Sequence, residues 1–204
     1  MEPDVKSLSI QDLAIYDPVA ALGILLHIPR IPISMNCVAT FQSFDTTQAP
    51  VEGDLDTTIT QRTWIDNVAY SLQQPNIFSG NILKTLYDTM LKGQPGISVQ
   101  ITTYSGPRYV VSPSFTPIEN FVDTFQKRWQ MGWPLFKQQS IKTLFQLTQA
   151  PPSTSPNGPP YKVTLTFNGW QFLDHTIENV PTDEAARRLR DMGFCVPEVP
   201  CVRP

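Results

Sequence analysis

The sequence predicts an α+β fold, in which an antiparallel or mixed β-sheet carries two or three amphipathic helices on one face. Segments with apolar side chains at every second position alternate along the chain with segments that have apolar side chains at helical spacing. Only 16% of the 204 residues are charged and 20 are proline, a composition that suits a β-rich protein with long loops better than a helical bundle. A β-sandwich with inserted helices is the alternative.

The first 56 residues are predicted to form an extended N-terminal arm with one short helix, at 9–16, and one strand, at 37–44. Three prolines prevent a longer helix here: Pro18, Pro29 and Pro32. The apolar residues of this arm need burial. We expect the following ones to lie in a groove of a neighbouring subunit: Leu22, Ile24, Leu25, Leu26, Ile28, Ile31 and Ile33.

The body, residues 57–193, is predicted to be a single α+β unit, and residues 194–204 an extended Pro-rich tail. Strands of the body are expected at 64–72, where the apolar side chains stand at even positions, and at 97–102 and 108–112. Helices are expected at 81–92, 116–132 and 182–192. The second helix has the strongest start signal, because Thr116-Pro117-Ile118-Glu119 fits a capping box with proline in the first turn.

Two further segments of the body, 140–148 and 161–173, give the clearest strand signal. Each alternates apolar with polar side chains, and we expect them to be neighbouring strands joined by the Pro-rich segment 149–160. In the second segment the apolar side chains change from odd to even positions at Asn168-Gly169. This change predicts a β-bulge, with a hairpin turn at the same pair as the alternative.

Charge is distributed unevenly along the chain. Residues 1–60 carry eight acids against two bases, a net charge of −6, whereas residues 61–173 carry nine bases against four acids, a net charge of +5. An acidic N-terminal section and a basic body attract each other, within one chain or between chains. Variation of surface charge without a functional meaning is the other interpretation.

No catalytic residue and no cofactor site is predicted. The chain contains no G-x-S-x-G motif, no P-loop and no G-x-G-x-x-G motif. His27 lies in an apolar run and is interpreted as structural, and the adjacent pair Asp174-His175 alone does not predict catalysis. The protein is therefore expected to be non-enzymatic; an enzyme whose site is assembled from distant residues is a third possibility.

Metal and nucleic-acid sites are not predicted either. Glu52, Asp54 and Asp56 form the one carboxylate cluster, which is interpreted as a solvated acidic loop and not as a Ca²⁺ site. The three cysteines lack zinc-site spacing and do not form a disulfide framework, although Cys195 and Cys201 can pair. The basic residues are dispersed, and Trp129 falls on a helical apolar stripe, so we interpret it as a core residue and not as a base-stacking platform.

The expected location follows from two features. No signal peptide opens the chain, and the apolar run 19–28 is too short to cross a bilayer. We expect a protein made in a reducing cytoplasm that has no membrane partner and, if it is viral, is then incorporated into the virion.

Five features favour a non-enzymatic structural subunit of a large assembly. They are the missing catalytic motifs, the low charge, the arm, the long loop and the tail. The favoured form is a bacteriophage virion component: capsid, connector, tail or baseplate. Its expected partners are other copies of itself, other structural subunits, or both; nucleic acid and small-molecule substrates are not expected. Long loops are commonly functional, and the predicted contact loop is Pro151, Pro152, Ser153, Thr154, Ser155, Pro156, Asn157, Gly158, Pro159 and Pro160. The alternative function is a carbohydrate- or peptide-binding β-rich module.

Overall fold

The computed structural model describes residues 9–55, 59–73, 96–104, 114–118, 133–135, 140–150, 160–173 and 175–197. The strands of this part are β1 (Arg30–Phe41), β2 (Val51–Leu55), β3 (Thr63–Gln73), β4 (Ile97–Tyr104), β5 (Thr116–Pro117), β6 (Trp133–Leu135), β7 (Ser140–Leu147) and β8 (Tyr161–Phe172). Its α-helices are α1 (Ile10–Tyr16), α2 (Pro18–Leu25) and α3 (Thr182–Asp191), and a 3₁₀ helix spans His175–Asn179.

The described strands form one antiparallel sheet that curls into a half-barrel, in the order β5-β4-β7-β2-β1-β8-β3-β6. Its longest ladder joins β1 to β8 over twelve residue pairs, from Arg30 with Phe172 to Phe41 with Tyr161. Strand β2 links the two halves, because its first three residues pair with β7 and its last two with β1. The β-rich α+β prediction is confirmed at this coarse level, and the two halves are continuous where the alternative had separate sheets.

The main core lies on one face of the curled sheet. Odd-numbered apolar side chains of β1, β4, β7 and β8 meet there, and most of them have almost no exposed surface. Within this core the ring of Tyr161 stacks between Phe41 and Phe44, with centroid distances of 5.1 and 4.7 Å. Burial raises the pKa of Tyr161 above its ordinary value.

Strands β7 and β8 are not neighbours, since β2 and β1 lie between them. The prediction that segments 140–148 and 161–173 pair across segment 149–160 is therefore wrong, although each of them does contain a strand. The alternation of apolar and polar side chains reports which face of a strand is buried, and several strands of the same period can serve as its partner.

A β-bulge occurs where it was expected, but its extra residue belongs to the neighbouring strand. Ile65 pairs with Gly169 and Asn67 pairs with Asn168, so Asp66 of β3 is the additional residue. Strand β8 itself is unbroken. Its parity change has a different cause: the strand buries one face in the main core up to Phe167, and its opposite face under the helices from there on.

The bulge also changes which face β3 buries. Trp64 packs with the helices, whereas Val68 and Leu72, beyond the extra residue, pack in the main core. The expectation that all even positions of this strand share one face is therefore wrong for Trp64. At this point the backbones of β3 and β8 approach so closely that a Cβ atom on Gly169 would overlap the carbonyl group of Trp64.

Residues 10–55 belong to the body, and the predicted extended arm is wrong for them. Val19 and Leu22 are fully buried in a second apolar cluster that α1, α2 and α3 form with Trp64 and Phe172. The prolines divide this region into short elements but do not prevent the elements from packing. Pro18, for example, stands at the first position of α2, where its missing N–H costs no hydrogen bond.

Helices α1 and α3 were both predicted, whereas the short strand β5 was not. Ser9 caps α1 with a capping box to Asp12, and helix α3 spans Thr182–Asp191, close to the predicted 182–192, with Pro181 as its N-cap residue. Thr116 and Pro117 pair with β4 as a short strand, where a helix start was predicted. Predictions that lie outside the described residues are the helix at 81–92, the strand at 108–112, the helix from 119 onward and the tail beyond 197.

Candidate contact groove

An open groove of about 800 Å³ lies where the helical layer meets the sheet. Its walls come from α1, from the end of α2, from the start of β1 and from the bulge between β3 and β8. Most of its surface is apolar, and the charged residues Arg30 and Asp66 also line it. The lining residues are Ile10, Ile24, Leu25, His27, Ile28, Pro29, Arg30, Ile31, Pro32, Asp66, Gly169 and Trp170.

One side of the groove is the turn that ends α2. The N–H of His27 donates to the carbonyl oxygen of Ile24, and the N–H of Ile28 donates to that of Gly23, each at 3.0 Å. These two bonds form a Schellman motif, in which the residue after the C-cap adopts the left-handed conformation. His27 has a φ of +57°, at a position where glycine is usual. The exposed side chain of His27 therefore lines the groove although its own backbone is strained.

The opposite side of the groove is aromatic. Trp170 pairs directly with Trp64 across β8 and β3, and their rings stack with centroids 6.3 Å apart. Phe172 meets Trp170 edge-on at 5.3 Å. The guanidinium of Arg30 lies over the Trp170 ring, 5.1 Å from its centroid, in a cation–π contact. Arg30 thus covers one face of the partly exposed indole while remaining exposed itself.

A buried ion pair joins the helical layer to the sheet. The Nη1 of Arg62 donates to both carboxylate oxygens of Asp17 at 2.8 Å, and both side chains are almost completely buried. Asp17 Oδ1 also accepts a hydrogen bond from the backbone N–H of Ala20, which caps α2. One carboxylate therefore fixes the start of α2 to the residue that precedes β3.

Four of the seven residues that were predicted to contact a neighbouring subunit line the groove: Ile24, Leu25, Ile28 and Ile31. The other three lie elsewhere. Leu22 is fully buried beneath the helices, Ile33 packs against the main core, and Leu26 is 54% exposed and does not line the groove.

Several other predicted positions can be placed. Glu52 and Asp54 lie in strand β2 and not in a loop, and Glu52 forms an ion pair with Lys142 at 2.9 Å. Cys37 is buried and Cys195 is exposed, both as free thiols. Of the contact loop, Pro160 is described and exposed, while residues 151–159, Asp56, Asp174 and Cys201 lie outside the described residues.

The sequence interpretation missed three groove residues that give the site its polar and aromatic character: Arg30, Asp66 and Trp170. The parity change beside Trp170 was the available signal, because it marks the point where β8 begins to bury its other face. Nothing in the local sequence indicates that Asp66 is an extra residue, since a bulge depends on the partner strand.

The segment after α3 is held against α1. The side chain of Gln11 makes two hydrogen bonds with the backbone of Cys195, donating to its carbonyl oxygen at 2.7 Å and accepting from its N–H at 3.3 Å. Val196 is buried beside them. The first residues of the predicted tail are therefore docked on the helical layer.

In the described ranges, no group of three or more histidine, cysteine, aspartate or glutamate side chains is placed to hold a metal ion. Among the helices described, none combines the length and apolar character needed to cross a membrane. Neither the protein-family models nor the curated proteins contain a match to this chain.

Proposed function

We propose that the protein is a non-enzymatic structural subunit of a large assembly, and that the groove receives an apolar segment of a neighbouring subunit. The observation that carries the proposal is the open groove itself, whose walls are mostly isoleucine, leucine and proline side chains. A concave apolar surface with charged residues beside it is typical of a contact site.

The conformation of His27 supports a contact role for this surface. A non-glycine residue in the left-handed region costs on the order of 1 kcal/mol or more, and glycine would satisfy the same turn without strain. Keeping an exposed histidine in the groove at this cost is expected when the side chain is used in recognition.

More specifically, we propose that the protein is a bacteriophage virion component, from the capsid, connector, tail or baseplate. Its partners are then further copies of this chain or other structural subunits. Low charge, abundant proline and the long segment between β7 and β8 support this form, because such a composition suits proteins that work through extended contacts.

The second candidate is a carbohydrate- or peptide-binding module. Trp170 is the aromatic side chain that such a module would present in the groove. A sugar ring needs a free aromatic face, and Arg30 already covers one face of this indole, whose stacking partner is Trp64. The groove therefore favours an apolar polypeptide segment over a carbohydrate.

Sedimentation velocity over a series of protein concentrations tests the proposal. We expect the mass of the wild-type chain to rise with concentration, and the variant Ile31→Glu to stay monomeric because it places a charge on the apolar wall. Met192→Glu is the matched control, since Met192 is 49% exposed and does not line the groove. Far-UV circular dichroism of each variant establishes that it is folded.

Two results would contradict the proposal. If Ile31→Glu assembles like the wild-type chain, the groove is not the contact surface. If the wild-type chain remains a monomer at every concentration and binds short apolar peptides in a 1:1 ratio, the protein is a peptide-binding module.

A further inference from the structure

One cation of the groove has no carboxylate partner within the described part of the chain. Arg30 is exposed, and its guanidinium forms neither an ion pair nor a hydrogen bond there; its contact is the one with the Trp170 ring. Arg62 and Lys142, in contrast, are each paired with a carboxylate. Asp66 also lines the groove but is not joined to Arg30. The N–H donors of Arg30 are therefore available to a molecule that enters the groove.

The sheet fixes the position of this guanidinium. Arg30 pairs with Phe172 in the ladder of β1 and β8, so Trp170, two residues earlier on β8, is its diagonal neighbour on the same face. The Trp170 ring is itself held by its stack on Trp64 and by the edge of Phe172. An arginine that already rests on an aromatic ring loses little conformational freedom when it binds a partner.

Covering the groove imposes a requirement on whatever covers it. A purely apolar segment would remove water from the Arg30 guanidinium and supply no acceptor in its place, and burying an unpaired charge is costly. A carboxylate matches the guanidinium with two parallel N–H···O bonds, and such charge-assisted bonds are stronger than bonds to neutral acceptors. The groove therefore favours a segment that combines apolar side chains with an acid.

We propose that the segment which occupies the groove carries an aspartate or glutamate beside its apolar residues. The carboxylate binds Arg30, and the apolar side chains pack on the wall that Ile24, Ile28 and Ile31 help to form. A lysine or arginine at the place of the acid would bring two like charges together, so segments of that kind are rejected. That the occupant is a polypeptide segment of a neighbouring subunit rests on the proposed function of the groove.

Selection from random short peptides displayed on yeast tests the preference without knowledge of the natural partner. The full-length chain is used in three forms: wild type, Arg30→Gln and Arg187→Gln. Arg187 is exposed on α3 and does not line the groove, so its variant is a control with the same change of net charge. The wild-type chain and the control should enrich peptides with an acid beside apolar residues, and Arg30→Gln should lose the enrichment of the acid. Far-UV circular dichroism establishes that each variant is folded.

Calorimetric titration measures the contribution of the acid. The most enriched peptide is synthesised with its acid and, for comparison, with the matching amide in place of the acid. The amide peptide should bind the wild-type chain about 10- to 100-fold more weakly than the acidic peptide, because a charge-assisted bond is lost. Both peptides should bind Arg30→Gln with equal affinity. If the wild-type chain binds both equally, or if Arg30→Gln still prefers the acid, the proposal is overturned.

The remaining outcomes separate this inference from the proposed function. If the enriched peptides lack an acid but lose binding to Ile31→Glu, the groove stands as a contact surface and the carboxylate preference is wrong. If acidic peptides bind as expected while the wild-type chain stays monomeric in sedimentation at every concentration, the carboxylate preference stands and the structural-subunit function fails. If no peptide is enriched and decanoate binds instead, the ligand is a small apolar carboxylate and the proposal is overturned.

Discussion

The buried pair of Asp17 and Arg62 gives the most decisive test of how the helical layer is held. Replacing Arg62 by methionine keeps a side chain of similar length but leaves the Asp17 carboxylate buried, with the cap bond from Ala20 as its one remaining hydrogen bond in the described part of the chain. Removing one partner of a buried ion pair typically costs about 3–5 kcal/mol of unfolding free energy. We expect a loss in this range for Arg62→Met, measured by urea denaturation with tryptophan fluorescence.

A double-variant cycle separates the ion pair from the cap. Asp17→Ser keeps a residue that can cap α2, so the double variant Asp17→Ser with Arg62→Met removes both charges and retains the helix start. Because no unpaired charge is left, the double variant should be more stable than Arg62→Met alone, with a coupling energy of about 0.5–3 kcal/mol. The reasoning would be refuted if Arg62→Met costs less than about 1 kcal/mol, or if the two single losses simply add.

Three further predictions concern single positions, each measured as a change in unfolding free energy. His27→Gly relieves the left-handed strain and should stabilise the chain by about 1 kcal/mol, whereas an unchanged or lower stability would show that the imidazole contributes contacts of its own. Gly169→Ala forces the β3 and β8 backbones apart and should cost about 1–3 kcal/mol; a neutral effect would contradict the close approach. Tyr161→Phe removes a buried hydroxyl that has no hydrogen-bond partner in the described part of the chain, so it should be neutral or stabilising by about 1 kcal/mol, and a loss would reveal a partner.

Local signals in the sequence predicted local structure well. The short helix after Ser9, the alternation through β8 and the helix that starts at Thr182 all depend on neighbours within a few positions. Pairing is different, because β8 has the same period as β1, β3 and β7, and nothing in its own residues selects between these partners. The long segment between β7 and β8 was interpreted as a hairpin loop for that reason.

The groove could be predicted only in part. Ile24, Leu25, Ile28 and Ile31 were identified as apolar residues that need contacts; all four line the groove, and the first three also pack against the helical cluster. The role of Trp170 depends on a bulge in β3 and on an arginine 140 positions earlier, Arg30, which a period of apolar residues does not reveal.

The ladder between β1 and β8 has a consequence for how the protein is made. Its closest pair, Phe41 and Tyr161, is 120 positions apart, and every other pair of the ladder is further apart. At 5–20 residues per second, a ribosome needs about 6–24 s to reach the start of β8 after β1 has been synthesised. During this time the long edge of β1 has no β8 to pair with, and an unpaired strand edge can pair with another chain and aggregate. Because such distant contacts also slow folding in a test tube, refolding from denaturant should take milliseconds to seconds and should be sensitive to protein concentration.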